Sequence, residues 1–192
     1  MVWTVTIIGD VPKGTAIMRS GAQVGDIVGI TNYVGYAATG LGALSYNLDG
    51  YHMTKVGHQR PDPQIELGQQ LRQLGIHSMN DISDGLGSEL NEIASASNVS
   101  IVIEEKAIPL HEETYELAKY LQTNPVDYAL YGGEDFQLVF TAPKSLLSKL
   151  ENLAGITIIG EVVSGPAQVQ MVTPDKTIKT IEAKGYNHFH ES

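Results

Sequence analysis

The stretch His77-Ser78-Met79-Asn80-Asp81-Ile82-Ser83-Asp84-Gly85-Leu86 decides how the rest of the chain is read. A short apolar run closes at Ile82 and the polar turn Ser83-Asp84-Gly85 follows. Leu86, Leu90 and Ile93 then recur at the spacing of one helical face. Strand, turn and helix stand in immediate succession. Upstream, Leu67, Leu71 and Leu74 mark another helix, which starts after the loop at Pro61 and Pro63 and is stopped by Gly75. Ala37–Leu48 reads as a small-residue helix in which Gly40 and Gly42 permit close packing. Trp3–Ile8 and Ile27–Thr31 read as strands. Downstream come a strand over 99–103, a helix over 114–121, a strand over 136–141 and a helix over 144–153. Strands at 156–163, 167–173 and 177–181 close the chain, with Pro174-Asp175 turning between the last two. The pattern specifies one domain of mixed α/β (α+β) class, without repeats.

Composition narrows the chemistry. The 192 residues suffice for one ordinary core, and 42% hydrophobic with 18% charged residues is a globular balance. No cysteine is present, which removes disulfides, thiolate ligands and cysteine nucleophiles together. A formal charge of −10 opposes general attraction to nucleic acid or anionic membranes. Small anionic ligands would need metal ions, backbone amides or a few placed cations. No run approaches the roughly 20 apolar residues of a membrane span, and the expected location is the cytoplasm.

Three motifs carry candidate chemistry. In Asp81-Ile82-Ser83-Asp84-Gly85-Leu86, two carboxylates offer hard oxygen ligands suited to Mg²⁺, while Ser83 and nearby amides face a phosphate. The same residues also suit an Asx turn and helix cap, a reading that spacing alone leaves open. In Tyr131-Gly132-Gly133-Glu134-Asp135-Phe136, paired glycines let backbone approach a ligand, and Glu134 or Asp135 could meet a cationic or hydrogen-bonding group. A tight turn with solvated acids is the alternative. Arg19, before Ser20-Gly21, could reach an anion or form a surface ion pair. Gly35–Leu41 has phosphate-loop glycine spacing but lacks the Lys-Ser/Thr pair that does that motif's work. His188 and His190 read as solvated tail residues.

Taken in order, Arg19-Ser20-Gly21-Ala22, Val24-Gly25-Asp26, Gly40-Leu41, Arg60-Pro61, Asp81 to Leu86, Gly132 to Phe136 and Lys184-Gly185-Tyr186-Asn187-His188-Phe189 resemble the thiamine-monophosphate kinase family. That family shares its superfamily with aminoimidazole ribonucleotide synthetase. The resemblance implies a synthetase-like C-terminal-domain fold, a layered sheet with packed helices. It implies transfer of the γ-phosphoryl of ATP onto thiamine monophosphate. Asp81 and Asp84 would bind Mg²⁺, Arg19 and Ser83 would contact ATP, and Glu134 and Tyr186 would contact the acceptor. It further implies that residues 1–20 lead in from an N-terminal domain carrying more metal ligands, that the parent enzyme is a homodimer, and that the isolated chain is inactive. An inactive ligand-binding module and a purine-pathway synthetase are the rival readings. Tyr36 and Asn32 depart from the family's usual Asp and Gly, so the loop over 32–37 is where the correspondence is weakest.

Overall fold

A computed structural model describes residues 4–184. Its frame is a seven-stranded sheet made of β1 (Asp26–Thr31), β2 (Ser78–Ile82), β3 (Ser100–Glu104), β4 (Gln137–Pro143), β5 (Ile156–Val163), β6 (Gln168–Val172) and β7 (Ile178–Ile181). The spatial order is β2-β4-β1-β5-β3-β6-β7. Every neighbouring pair is antiparallel except β3 with β6.

The helices are α1 (Tyr36–Ser45), α2 (His52–Gln59), α3 (Ile65–Leu74), α4 (Leu86–Ser97), α5 (Glu112–Leu121), α6 (Pro125–Tyr131) and α7 (Leu147–Glu151). Strand periodicity divides them between two faces of the sheet. Val28, Ile30, Val139 and Ile101 pack with Leu86, Leu90 and Ile93 of α4 and Leu130 of α6. Ile27, Phe140 and Ala142 point the other way, onto Leu71 of α3 and Leu150 of α7. All six residues of β1 are buried, because both faces of this central strand are covered. Each large aliphatic side chain fully removed from water contributes about 1.5–3 kcal/mol to this packing. The mixed layered fold expected from the sequence is the one observed.

Four local expectations need correction. Thr4–Ile8 forms no strand: Val5, Ile7 and Ile8 are 83%, 89% and 92% exposed, and no ladder partner lies beside them among the described residues. A strand is stabilised by its neighbour, and alternation alone does not supply one. The α1 helix stops at Ser45 rather than Leu48. The expected helix over 144–153 is a 3₁₀ turn, Lys144–Leu146, followed by the single short α7. Two helices, α2 and α6, were not anticipated. In α2 the sequence His52-Met53-Thr54-Lys55-Val56-Gly57-His58-Gln59 has Thr54, a polar residue, as its one buried residue. In α6 an ordinary start signal, Asn124 before Pro125, stands at the head of the helix.

Candidate functional site

The two acidic motifs, some fifty residues apart in sequence, lie side by side. Strand β2 runs into the first and β4 runs out of the second, and their register pairs Asp81 with Leu138 and Ile82 with Gln137. Beyond the ladder the contact continues. The Glu134 N–H donates to the Ser83 carbonyl at 2.8 Å and the Phe136 N–H to the Ile82 carbonyl at 2.9 Å. Gly133 is required by this approach, since a Cβ there would meet the Ser83 carbonyl oxygen. Gly85 is required by conformation, at φ 100°.

A cavity of about 580 Å³ opens where these segments meet the α1–α2 hairpin. Ser83, Asp84, Gly133 and Glu134 line it from the two acidic motifs, Ala37, Ala38 and Leu41 from α1, with His58 and Tyr131 completing it. Glu134 is exposed into this space at φ 68°, and its carboxylate accepts no hydrogen bond among the described residues. Asp135 behaves differently. It is 4% exposed and accepts the Gly35 N–H at 2.6 Å and the Ala37 N–H at 2.9 Å. Burial pushes its carboxyl up to about 6, against three backbone N–H donors, from residues 35 to 37, that favour the charged form. Of the two acids in this motif, Glu134 faces the cavity and Asp135 is internal.

On the other side of Asp84 lies a second depression of about 650 Å³, lined by Arg19, Asp84, Ser88, Asn91 and Glu92 among others. The Arg19 Nε donates to Asn80 Oδ1 at 2.9 Å and lies 3.0 Å from Glu92 Oε2. Asn80 in turn donates to Glu89 and Glu92. Glu89, 3% exposed, also accepts the Asp84 N–H at 3.2 Å and the Ser83 hydroxyl at 3.4 Å. Burial raises the Glu89 pKa, the Asp84 N–H lowers it, and Glu92, Asp81 and Asp84 raise it further. Glu89 therefore organises the Ser83-Asp84 turn from beneath, a role the sequence reading missed; its position on the first turn of α4, after an exposed turn, was the available signal.

The sequence-derived residues are thus partly assembled. Ser83, Asp84 and Glu134 share one cavity, and Arg19 and Asp84 share the next. Asp81 lines a separate apolar depression with Ile65, Met79, Phe136 and Leu138. Among the described residues, the carboxylates of Asp81 and Asp84 accept no hydrogen bonds and form no ion pairs. Their exposed, hard oxygen donors suit Mg²⁺. No group of three or more acidic or histidine side chains in the described residues is close enough to enclose an ion. Tyr186, His188 and His190 lie outside the described residues. Just before them, Lys184 Nζ sits 6.0 Å from the centroid of the Tyr131 ring. In the divergent loop, Asn32 Nδ2 donates to Gln64 and to Gln137, both at 3.0 Å. Tyr36 stacks on Tyr33 at 6.1 Å, with His111 edge-on to both rings.

Residues 23–172 match the family described as AIR synthase related protein, C-terminal domain. The thiamine-monophosphate kinase of Bacillus subtilis is 37% identical over 98% of this chain, and that of Escherichia coli K12 is 34% identical over 97%. The chain spans 60% and 59% of those two proteins. A solved structure described as AaThiL complexed with AMPPCP and TMP superposes with a TM-score of 0.78 at 33% identity, covering 90% of this chain and 54% of that one. The E. coli hydrogenase maturation protein HypE reaches a TM-score of 0.75 at 19% identity, covering 95% of this chain and 56% of that one, a likeness of fold alone.

Proposed function

Because the chain belongs to the family of AIR synthase related proteins, C-terminal domain, we propose that it is the C-terminal domain of a thiamine-monophosphate kinase. In this reading it contributes nucleotide, metal and acceptor contacts to the transfer of a phosphoryl group from ATP to thiamine monophosphate. The meeting of the Asp81–Leu86 and Gly132–Phe136 motifs at one cavity carries the reading. A relative bound to the ATP analogue AMPPCP and to TMP supports the two ligand classes.

Glu134 faces the acceptor cavity, where its carboxylate counters the positive charge of thiamine. Tyr186 offers a ring to stack on the heterocycle. Arg19 and Ser83 contact ATP. Arg19 is 57% exposed and would exchange part of its pairing with Glu92 for phosphate. Asp81 and Asp84 hold Mg²⁺, which supplies neutralisation of the two approaching polyanions. An acceptor phosphate oxygen attacks the γ-phosphorus as the bond to ADP breaks. That oxygen is already ionised near neutral pH, so no side chain is assigned as general base. The domain acts in the cytoplasm as part of a homodimeric two-domain enzyme, with residues 1–20 leading in from the N-terminal domain.

A second reading is favoured by the sparse metal donors of the described residues: the chain alone binds ligand without turnover. The deciding experiment measures thiamine-monophosphate-dependent ADP formation by the chain alone and by the chain joined to the N-terminal part of the Bacillus subtilis relative. Activity of the joined protein alone is expected. Turnover by the chain alone would overturn the need for a front domain. Absence of turnover in both, with purine-pathway acceptors consumed instead, would overturn the kinase assignment.

A further inference from the structure

Helix α1 begins without a cap of its own. Gly35 precedes it at φ 73°, a glycine has no side chain to accept the first N–H groups, and no acid lies in its first turn. The missing acceptor comes from a hundred residues away. Asp135 takes the Gly35 and Ala37 N–H groups at 2.6 and 2.9 Å. Its neighbours Glu134 and Phe136 are both held left-handed, at φ 68° and 51°, a conformation that costs a bulky residue free energy and persists only when its surroundings enforce it. The enforcing contacts are visible: the Glu134 and Phe136 N–H groups are bonded to Ser83 and Ile82, while the Asp135 side chain between them is fastened to α1. The two segments fastened together line one cavity, Gly133 and Glu134 from the loop and Ala37, Ala38 and Leu41 from α1.

We propose that Asp135 is a positioning residue that locks helix α1 to the Gly132–Phe136 loop, fixing the width of the acceptor cavity and the direction in which Glu134 enters it. The proposal rests on the reading of that cavity as the acceptor site. Loss of the lock lets α1 and the loop separate and lets Glu134 relax out of its left-handed conformation. Acceptor binding then suffers, while the Arg19 depression, on the far side of Asp84, keeps its shape.

The test uses Asp135→Asn, which places an amide donor against backbone donors, and Ala37→Pro, which keeps the carboxylate but deletes one N–H it holds. Proline is tolerated in the first turn of a helix. In the joined two-domain enzyme, each variant is expected to raise KM for thiamine monophosphate about tenfold while changing KM for ATP less than about threefold. The double variant should be no more impaired than the worse single one, because the amide of Asp135→Asn can then face residue 37, which has no N–H, while its oxygen accepts from Gly35. Equal loss for both substrates, or additive losses, would overturn the proposal. If the parent enzyme does not use thiamine monophosphate, the functional reading fails, and the lock is judged on the 192-residue chain itself. There the Gly35 and Ala37 amide protons should move upfield in Asp135→Asn, and unmoved signals would sink it. If Asp135→Asn does not fold, Ala37→Pro carries the kinetic comparison, and an unchanged KM for thiamine monophosphate would overturn the proposal.

Discussion

Helices α5 and α6 carry their own caps, whereas α1 and α2 borrow theirs. His111 accepts the Glu113 N–H and Asn124 accepts the Val126 N–H, each two residues along the chain. The α1–α2 hairpin instead depends on Asp135 for its first helix. For its second it depends on Glu113, which accepts the Thr54 N–H at 2.8 Å, the Thr54 hydroxyl at 2.7 Å and the Met53 N–H at 3.3 Å. Both borrowed caps follow left-handed residues, Gly35 and Tyr51. A self-capped helix can begin to form before the fold is complete. A helix capped from sixty or a hundred residues away gains that stabilisation only once the tertiary structure exists. The hairpin that lines the Glu134 cavity is thus coupled to the rest of the domain by two buried or half-buried carboxylates.

The pH dependence of Asp135 gives the largest expected contrast. Its folded pKa of about 6 lies above the ordinary 3.8, so the fold favours the protonated form. That contribution is complete below pH 3.8 and is lost as pH rises through about 6. Comparing unfolding free energies at pH 4 and pH 7.5, wild type should gain on the order of 3 kcal/mol relative to Asp135→Asn at the lower pH. Parallel curves for the two proteins would show that the buried cap does not titrate there.

Gly35→Ala attacks the same cap through the backbone. The new Cβ would lie 2.7 Å from the Ala129 nitrogen at a left-handed φ, and a loss of about 2 kcal/mol or more is expected in denaturant unfolding. A loss below about 0.5 kcal/mol would mean that the hairpin entry is loosely held. Next in size, Glu113→Ala leaves the Thr54 and Met53 donors without their acceptor, at a cost of about 1–2 kcal/mol. Hydrogen exchange should accelerate across residues 52–59 and leave α4 protected. Uniform acceleration would place the effect in the whole domain and not in the hairpin. Asn124→Ala, the local cap, should cost only about 1 kcal/mol and affect α6 alone. If it destabilises more than Glu113→Ala, the ordering of borrowed over local caps is reversed.

What the sequence disclosed follows the same division. The strands from β1 to β7 and helices α3 and α4 were legible because an apolar face at fixed period encodes each one locally. The acidic turns were legible as chemistry, and their adjacency became visible only through the β2–β4 pairing. Helix α2 was hidden because what fixes its start, Glu113, lies on α5 and not in its own sequence. The different fates of Glu134 and Asp135 were likewise unreadable: two adjacent acids look alike until one is found against the amides of residues 35 to 37. Trp3–Ile8 failed in the opposite sense, since its alternating pattern was plain but pairing is a property of two segments.

That last segment has a practical consequence. Val5, Ile7 and Ile8 present apolar side chains on backbone whose N–H and C=O groups are paired with no strand among the described residues, with no charged residue from Thr4 to Gly9 to discourage a neighbour. Such a stretch is a template for intermolecular β-addition. Concentrated preparations should self-associate through it, and lysine in place of Ile7 should keep them dispersed without disturbing either core.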